Sequence, residues 1–231
     1  RPCHTHYSKT VGATSKWSDN SSDTLNIIDW GVIPYQEAAE KQLQLVEEAK
    51  DTLVFCSHPP VVTIGRGTQP GDVFGWQGEI LETTRGGRAT YHGPSQVVAY
   101  PILDLNQSRR SFALRDLHGY MRVLEKPLVD TLHEFAIESE ARTIKADNNE
   151  PSLTGVWVGH KKVASIGIAV KKWITYHGLA LNVLQDSQAF SGINPCGFRS
   201  DIMTSMEEVL GRPIDRVQVQ KVLAHFISTS I

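Results

Sequence analysis

The residue of this sequence best suited to covalent chemistry is Cys196, within the segment SGINPCGF of residues 191–198. A thiol between a proline and a glycine lies on a sharply turning backbone, whereas a structural core cysteine more often lies inside an apolar run. A nucleophilic cysteine needs an exposed turn, together with a base or a cation that favours the thiolate. The sequence therefore predicts a nucleophile at Cys196 that has a partner elsewhere in the chain.

The best candidate for that partner is Lys162. Lys161 and Lys162 precede the apolar run VASIGI of residues 163–168, which has the character of a strand. Because side chains alternate along a strand, one lysine faces solvent and the other faces inward. A lone inward lysine most often extends its stem along apolar surface towards water. Beside a thiol it gains a chemical role, since an ammonium within a few ångströms stabilises a thiolate.

The segment RGGRATYHGPSQ of residues 85–96 is dense in residues suited to ligand binding. Its adjacent glycines let the backbone approach a ligand closely, while Arg85, Tyr91 and His92 supply hydrogen-bond donors and an aromatic wall. A glycine-rich turn with incidental polar side chains is the alternative interpretation. The motif GxxxxGK[ST] does not occur, and residues 65–70, GRGTQP, lack the third glycine of GxGxxG. The sequence therefore does not predict a nucleotide-phosphate loop.

Small residues interrupt two of the predicted strands, at residues 165–167 and in the segment HGLA of residues 177–180. Glycine within a strand indicates a bulge or the close approach of a ligand. With Ile, Leu and Val around them, these positions suit either a tunnel for an acyl chain or tight packing of the sheet. The sequence leaves both interpretations open.

Composition narrows the class of protein. The chain has 231 residues, a net charge of −2 and 40% hydrophobic residues, so it can bury a sizeable core and has no general basic field for nucleic acid. It has no apolar run of about 18 residues that would span a membrane. Three scattered cysteines without a CxxC pair predict neither a disulfide framework nor a zinc site, and favour a reducing compartment. Residues 1–24, rich in Ser, Thr and Asn, are expected to form a flexible leader without a secretory signal.

The elements that must position these residues form one predicted domain, residues 25–231. Four helices are expected. The first covers 35–50, with Ala39, Leu43 and Val46 on one face, and the second covers 112–140, with Pro127 as a break or a new start. A third, short helix follows a capping box of Ser205 and Glu208, and the last begins at about 215. Strands are expected at 25–30, 53–56, 61–64, 80–84, 97–105, 154–159, 162–170 and 174–183. The elements interleave without a strict βαβ rhythm. We therefore expect an α+β fold with a mixed β-sheet flanked by helices, ahead of a parallel α/β fold.

Taken together, these segments resemble the lipoyl(octanoyl) transferases, the octanoyl-carrier-protein-dependent enzymes of lipoate synthesis. The resemblance covers about residues 25–226, and one departure is Ser95, where the family's loop usually reads HGPGQ. It implies a single domain with the fold of biotin and lipoate protein ligases. Five segments in order carry it: HPPV at 58–61, residues 85–96, KVASIG at 162–167, HGLALN at 177–182 and INPCG at 193–197.

The resemblance implies a role for each matching position. The acyl-thioester cysteine falls on Cys196, and the lysine that supports the thiolate falls on Lys162. Substrate binding is implied for Arg85, Gly86, Gly87, Arg88, Ala89, Thr90, Tyr91, His92, Ser165, Ile166, Gly167, Gly178, Leu179 and Ala180.

The implied reaction moves an octanoyl group from octanoyl-acyl-carrier protein to a lysine of lipoyl domains of 2-oxoacid dehydrogenases or of the glycine-cleavage H protein. It implies neither ATP nor a metal, and no nucleic-acid or membrane partner. The implied location is cytoplasmic, or mitochondrial in a eukaryote.

Three alternatives remain open at this point. The first is an ATP-dependent lipoate or biotin ligase of the same fold, which would adenylate a free acid. The second is an amidotransferase that takes octanoyl from the H protein. The third is an acyl-binding protein without enzymatic activity, in which Cys196 would be dispensable.

Overall fold

The computed structural model describes residues 25–107, 109, 111–144 and 153–231, so the predicted leader at 1–24 lies outside the described residues. None of the helices in this part of the chain is long and apolar enough to cross a membrane. Its strands are β1 (Asn26–Val32), β2 (Thr52–Ser57), β3 (Val61–Ile64), β4 (Glu79–Glu82), β5 (Thr90–His92), β6 (Gln96–Ile102), β7 (Glu140–Ile144), β8 (Leu153–Val158), β9 (Lys161–Lys171) and β10 (Ile174–Asn182). Its α-helices are α1 (Tyr35–Glu48), α2 (Leu117–Glu134), α3 (Met206–Leu210) and α4 (Arg216–Ser230).

Seven of these strands form one mixed sheet in the order β1-β2-β6-β10-β9-β8-β7, and β4-β3-β5 form a small second sheet. In the large sheet β1 and β2 are parallel, and the other neighbours are antiparallel. The strands from β8 to β10 are consecutive along the chain, as the sequence predicted. The expected α+β class with a mixed sheet flanked by helices is confirmed, and the parallel alternative is wrong.

The large sheet separates two apolar layers. On β2, Leu53 and Phe55 pack towards one core, while Val54 and Cys56 pack towards a second. This alternation is what the two-residue period of a strand requires when both faces are covered. Helices α2 and α4 cover the first face, and α1 covers the second.

Two helix predictions need correction. The helix expected over 112–140 is shorter at both ends: α2 starts after Asp116, whose carboxylate caps the Gly119 N–H at 2.8 Å, and it ends at residue 134. Pro127 lies inside α2 without dividing it. Residues 135–139, expected to end the helix, form a turn and a loop, and Glu140 begins β7, a strand that the sequence did not predict and that pairs with β8.

The buried face of α1 also differs from the expectation. Its buried residues are Tyr35, Ala38, Gln42 and Val46, while Leu43 is exposed. The first residue of the helix, Tyr35, therefore faces the core. The starts of α3 and α4 follow the prediction, since Ser205 accepts the Glu208 N–H at 3.2 Å and Asp215 accepts the Val217 N–H at 2.9 Å.

Candidate active site

The predicted turn at Cys196 is a short 3-10 turn spanning Pro195–Gly197. Cys196 and Gly197 both have left-handed backbone, with φ of 56° and 82°. The Cys196 N–H donates to the Ala89 carbonyl at 3.0 Å, which ties the turn to the glycine-rich segment. The sharp turn is confirmed, but the thiol is less open than expected, because only 8% of Cys196 is exposed.

A buried ion pair braces this turn from the glycine-rich side. Arg88 Nε donates to Asp72 Oδ2 at 2.9 Å, and the two side chains form a salt bridge with Asp72 only 1% exposed. The Asp72 carbonyl in turn accepts the Asn194 N–H at 2.7 Å. A Cβ at Gly197 would collide with the Arg88 guanidinium, so this position requires glycine for close approach as well as for its φ. Sequence reasoning did not single out Asp72.

Lys162 is fully buried at the start of β9, and its Nζ lies 3.4 Å from the Cys196 Sγ. Its neighbour Lys161 is exposed and forms a salt bridge of 2.8 Å with Glu208. One lysine inward and one outward is the arrangement that strand alternation predicted. The structure therefore brings the predicted nucleophile and its predicted cation together across 34 residues of sequence.

The space for Lys162 comes from its neighbours on β8. A Cβ on Gly155 would collide with the Lys162 Cε and would lie 3.0 Å from its Nζ, so the lysine stem occupies the room that a side chain would fill. The ammonium also lies 5.8 Å from the centroid of the Trp157 ring, within the range of a cation–π contact. Neither Gly155 nor Trp157 carried a recognisable signal in the sequence.

The charge of Lys162 has an unusual setting. Among the described residues no carboxylate forms a salt bridge with it, and its one side-chain hydrogen bond in that part of the chain goes to the Cys196 sulfur. A buried ammonium is costly without an anion beside it. The Cys196 sulfur is the one atom within hydrogen-bonding distance of Lys162 Nζ in the described residues that could carry a compensating negative charge.

Arg85 shapes the loop beside this pair. Its Nη2 donates to the Thr63 carbonyl and hydroxyl, both at 2.8 Å, and its Nη1 donates to the carbonyls of Gly86 at 3.0 Å and Arg88 at 2.8 Å. Burial lowers the pKa of Arg85 below its ordinary value. The donors that the sequence offered for substrate are thus engaged in holding the backbone of the glycine-rich segment.

A narrow pocket opens beside Cys196, with a cavity volume of about 40 Å³. All of the predicted substrate-binding residues line it except Ala89 and Tyr91. Ala89 supplies the carbonyl that holds the Cys196 N–H, and Tyr91 points elsewhere, donating its hydroxyl to Asp186 Oδ2 at 2.8 Å. The pocket also includes residues that the sequence did not assign to it: Tyr35, Val98, Tyr100, Thr154 and His177.

The sheet glycines of the pocket serve close packing. A Cβ on Gly178 would collide with the Ala99 carbonyl of β6. A Cβ on Gly167, which pairs with Gly178, would lie 3.1 Å from the carbonyl oxygen of Gly86. These glycines let the glycine-rich loop and β6 approach the strands that line the pocket, so tight packing accounts for their presence.

Ser95, the departure from the family loop, fits without strain. It is absent from the residues with positive φ, and its Oγ donates to Asp186 Oδ2 at 3.1 Å. Its carbonyl accepts the N–H groups of Val183 and Leu184. The glycine that this loop needs is Gly93, where a Cβ would collide with the Tyr91 ring.

Two buried histidines, His92 and His177, line the pocket, and a third, His58, contacts His92 without lining it. His58 Nδ1 lies 2.8 Å from the Ile33 carbonyl and its Nε2 lies 2.7 Å from the Tyr100 hydroxyl, so Nδ1–H donates and Nε2 accepts. Burial lowers the pKa of His58 to about 4. Burial likewise lowers the pKa of His92 well below its ordinary value, where Nδ1 contacts Gln96 Oε1 at 3.3 Å. These rings remain uncharged at neutral pH.

His177 stands out by its backbone. Its φ is 59°, in the left-handed region that residues other than glycine adopt uncommonly, and it lies within strand β10. Its N–H donates to Gln42 Oε1 at 2.7 Å, and its ring contacts the Tyr35 hydroxyl at 3.4 Å and the Thr84 hydroxyl at 3.5 Å. Burial lowers the pKa of His177 to about 3 and raises the pKa of Tyr35 to about 12, so both side chains are neutral.

Metal ligation has no candidate in this region: no group of three or more His, Cys, Asp or Glu side chains among the described residues is arranged to hold an ion.

Comparison with known proteins identifies the family. Residues 34–228 match the lipoyl protein ligase A/B catalytic domain. The octanoyltransferase of Bdellovibrio bacteriovorus is 48% identical over 196 residues, covering 81% of this chain and 90% of that protein. The octanoyltransferase of Geobacter metallireducens is 39% identical over 203 residues, covering 86% and 89%. The fold matches a structure of lipoate-protein ligase A bound with ATP, with a TM-score of 0.66 and 16% identity over 90% of this chain and 85% of that one. The family and the fold predicted from the motifs are confirmed. The chain belongs to the lipoyl protein ligase A/B catalytic-domain family and, within it, to the octanoyltransferases, which are acyltransferases.

Proposed function

We propose that this chain transfers an octanoyl group from octanoyl-acyl-carrier protein, through a thioester on Cys196, to a lysine of a lipoyl domain. The observation that carries the proposal is the 3.4 Å contact between the Lys162 ammonium and the Cys196 sulfur beside a largely apolar pocket. A thiol paired with a cation is an activated nucleophile. The octanoyltransferase relatives support the acyl group and the reaction class.

The first step moves the acyl group onto the enzyme. The Cys196 thiolate attacks the carbonyl carbon of the octanoyl thioester, and the carbon–sulfur bond to the carrier breaks. The departing carrier thiolate takes a proton from the Lys162 ammonium and leaves as a thiol. The products are octanoyl-Cys196, a neutral Lys162 amine and free carrier protein.

The second step forms the amide. The amine of the acceptor lysine attacks octanoyl-Cys196, and the neutral Lys162 amine accepts the proton that the attacking nitrogen loses. Cleavage of the enzyme thioester regenerates the Cys196 thiolate beside the Lys162 ammonium. Because a thioester is converted into an amide, the transfer is downhill and requires neither ATP nor a metal.

The pocket orients the acyl chain for both steps. Ile166, Leu179 and Ala180 offer apolar surface along the strands that line the pocket. The Cys196 N–H is already bonded to the Ala89 carbonyl, so it is not a free donor for the developing oxyanion. The turn therefore fixes the sulfur, and the Lys162 ammonium, 3.4 Å away, stabilises negative charge at the reacting centre.

Intact-protein mass spectrometry after mixing with octanoyl-acyl-carrier protein tests the proposal. We expect one added octanoyl group on the wild-type chain and none on Cys196→Ser, because the ester-forming hydroxyl lacks the acidity of a thiol. Lys162→Arg keeps a cation but removes a group able to act as base, so we expect the adduct to form and then to persist when a lipoyl domain is added. An octanoyl adduct on Cys196→Ser, or full transfer by Lys162→Arg, contradicts the mechanism.

The same assay separates the other interpretations. Octanoyl-adenylate formed from octanoate, ATP and magnesium would indicate a ligase. Loading from octanoylated H protein but not from the carrier protein would indicate the amidotransferase. Binding of octanoate without any adduct would indicate an acyl-binding protein.

A reactive thiol persists in a reducing compartment, which supports the predicted cytoplasmic location, or mitochondrial in a eukaryote.

A further inference from the structure

The far wall of the pocket separates two cavities. Tyr35 and His177 line the pocket beside Cys196, and the same two residues line a second cavity that opens to solvent. The second cavity continues between α1 and β10, where Leu43, Leu81 and Tyr176 form part of its lining. Its lining also includes the polar residues Gln36, Glu82, Thr83 and Thr84, so the Tyr35 and His177 side chains stand between the pocket and a second cavity of mixed polarity.

The strand register gives the distance from the reacting centre to this wall. The Lys162 Nζ lies beside Gly155, which pairs with Ser165 on β9. His177 pairs with Ile168, three positions further along the same strand. Three residues along a strand advance about 10 Å, and the two strand spacings from β8 to β10 add about 9.6 Å across the sheet, so the two backbone positions lie about 14 Å apart. An extended eight-carbon chain advances about 9 Å, and its terminal methyl meets the next carbon at about 3.8 Å, so the chain spans most of this separation.

The side-chain hydrogen bonds of the His177 ring are long, while its backbone N–H donates to Gln42 Oε1 at 2.7 Å and its ring packs against the rings of Tyr35 and Tyr176. The Tyr35 hydroxyl lies 3.4 Å from His177 Nδ1, and the Thr84 hydroxyl lies 3.5 Å from its Nε2. Thr84 is better bonded to the Tyr176 hydroxyl, at 2.9 Å. The left-handed backbone of His177 turns its ring into this position, at a conformational cost that a glycine there would not have.

We propose that the Tyr35–His177 wall sets the maximum length of the acyl chain and so selects octanoyl over longer acyl groups. The inference rests on the proposed acyl transfer and adds the residues that determine chain length. The wall lies between the pocket that contains Cys196 and the second cavity, and that cavity would accept further methylenes once the wall is removed. Removing the His177 ring joins the two cavities.

The test compares the rates at which octanoyl-, decanoyl- and dodecanoyl-acyl-carrier protein load Cys196 in wild type and in His177→Gly. Glycine accepts a φ of 59°, so the backbone is preserved. Burial of each further methylene favours binding of the acyl chain by a factor of about four. In His177→Gly we therefore expect the ratio of the decanoyl to the octanoyl loading rate to rise about tenfold or more over wild type. His177→Asn, with a smaller side chain that tolerates left-handed backbone, gives a second variant should the glycine variant fold poorly.

Lys172→Gly is the matched control. Lys172 is an exposed residue with a φ of 53° in the turn between β9 and β10. A glycine there removes the same conformational cost of left-handed backbone as at His177, without changing the pocket. We expect its chain-length profile to equal that of wild type. An unchanged profile in both His177 variants, with normal octanoyl loading, overturns the wall while leaving the transfer intact.

A second readout does not depend on transfer. Calorimetry of free octanoate and dodecanoate binding reports the shape of the pocket directly. We expect the wild type to bind octanoate more tightly and His177→Gly to bind dodecanoate more tightly. Wild type that binds octanoate but forms no adduct contradicts the proposed function alone, and a variant that still prefers octanoate contradicts the wall alone.

Discussion

Replacing Lys162 with methionine should stabilise the protein while disabling it. The Lys162 side chain is fully buried, without a carboxylate partner in the part of the chain that the structure describes, and its one side-chain hydrogen bond there goes to the Cys196 sulfur. Methionine has a similar length and no charge to desolvate. Replacing buried ionic groups with apolar ones of similar volume often adds about 1–4 kcal/mol to stability, and we expect a gain in this range. Loss of the base should lower octanoyl transfer by about 10²–10⁴-fold.

Lys161→Met provides the control on the same strand. Lys161 is exposed and pairs with Glu208 at 2.8 Å, so its loss should change stability by about 1 kcal/mol or less and leave transfer intact. Urea unfolding measures the free energy of unfolding, and single-turnover mass spectrometry measures transfer. A loss of more than about 1 kcal/mol in Lys162→Met would refute the reasoning, because it would mean that the ammonium and the sulfur stabilise the fold by more than their desolvation costs.

Two further predictions concern the packing and the charge state of the site. Gly155→Ala would place a Cβ 3.0 Å from the Lys162 Nζ, so we expect octanoyl transfer to fall about 100-fold and the free energy of unfolding to fall by about 1–3 kcal/mol. The control is Gly211→Ala, whose Cβ meets nothing within 4 Å; it should lose about 1 kcal/mol of stability because of its φ of 63° and keep full transfer. Equal transfer activity of the two variants would contradict this prediction. Burial lowers the pKa of His58 to about 4 and of His177 to about 3, from an ordinary value near 6.5. Between those values the unfolded chain binds protons that the folded chain does not, so stability is complete above about pH 6.5 and falls as the pH drops, by about 2 kcal/mol from pH 6 to pH 5 for the two together. Urea unfolding at pH 7, 6 and 5 measures the slope, and a flat profile would show that these rings are not neutral in the folded protein.

The parts of the site that follow local rules were predictable from sequence. The turn at Cys196 follows from a proline and a glycine on either side of it, and the inward direction of Lys162 follows from alternation in a strand. Consecutive strands with short turns, such as β8 to β10, follow from β-rich runs punctuated by glycine. The family assignment followed from several motifs in order.

The remaining parts depend on which distant segments meet. Asp72 is an ordinary loop residue in the sequence, and its buried pair with Arg88 exists because two loops fold against each other. Gly155 gives no sign that it makes room for a lysine on the next strand. Strand β7 contradicts its own helix propensity, because its pairing partner β8 decides its conformation. Such features are tertiary and have no local signature.

The arrangement of charges explains why a lysine rather than a histidine faces the thiol in the proposed reaction. The histidines of the pocket are neutral, and burial together with the nearby Arg85 guanidinium keeps them so, so none of them offers a cation to a thiolate. Lys162 lies 3.4 Å from the Cys196 sulfur, and that contact is its one side-chain hydrogen bond among the described residues. In the proposed reaction, the first step passes the Lys162 proton to the departing carrier thiolate, and the second step returns a proton from the acceptor lysine. The two proposed steps therefore need a single side chain that can both give and take a proton, which a neutral buried histidine with a low pKa does not offer.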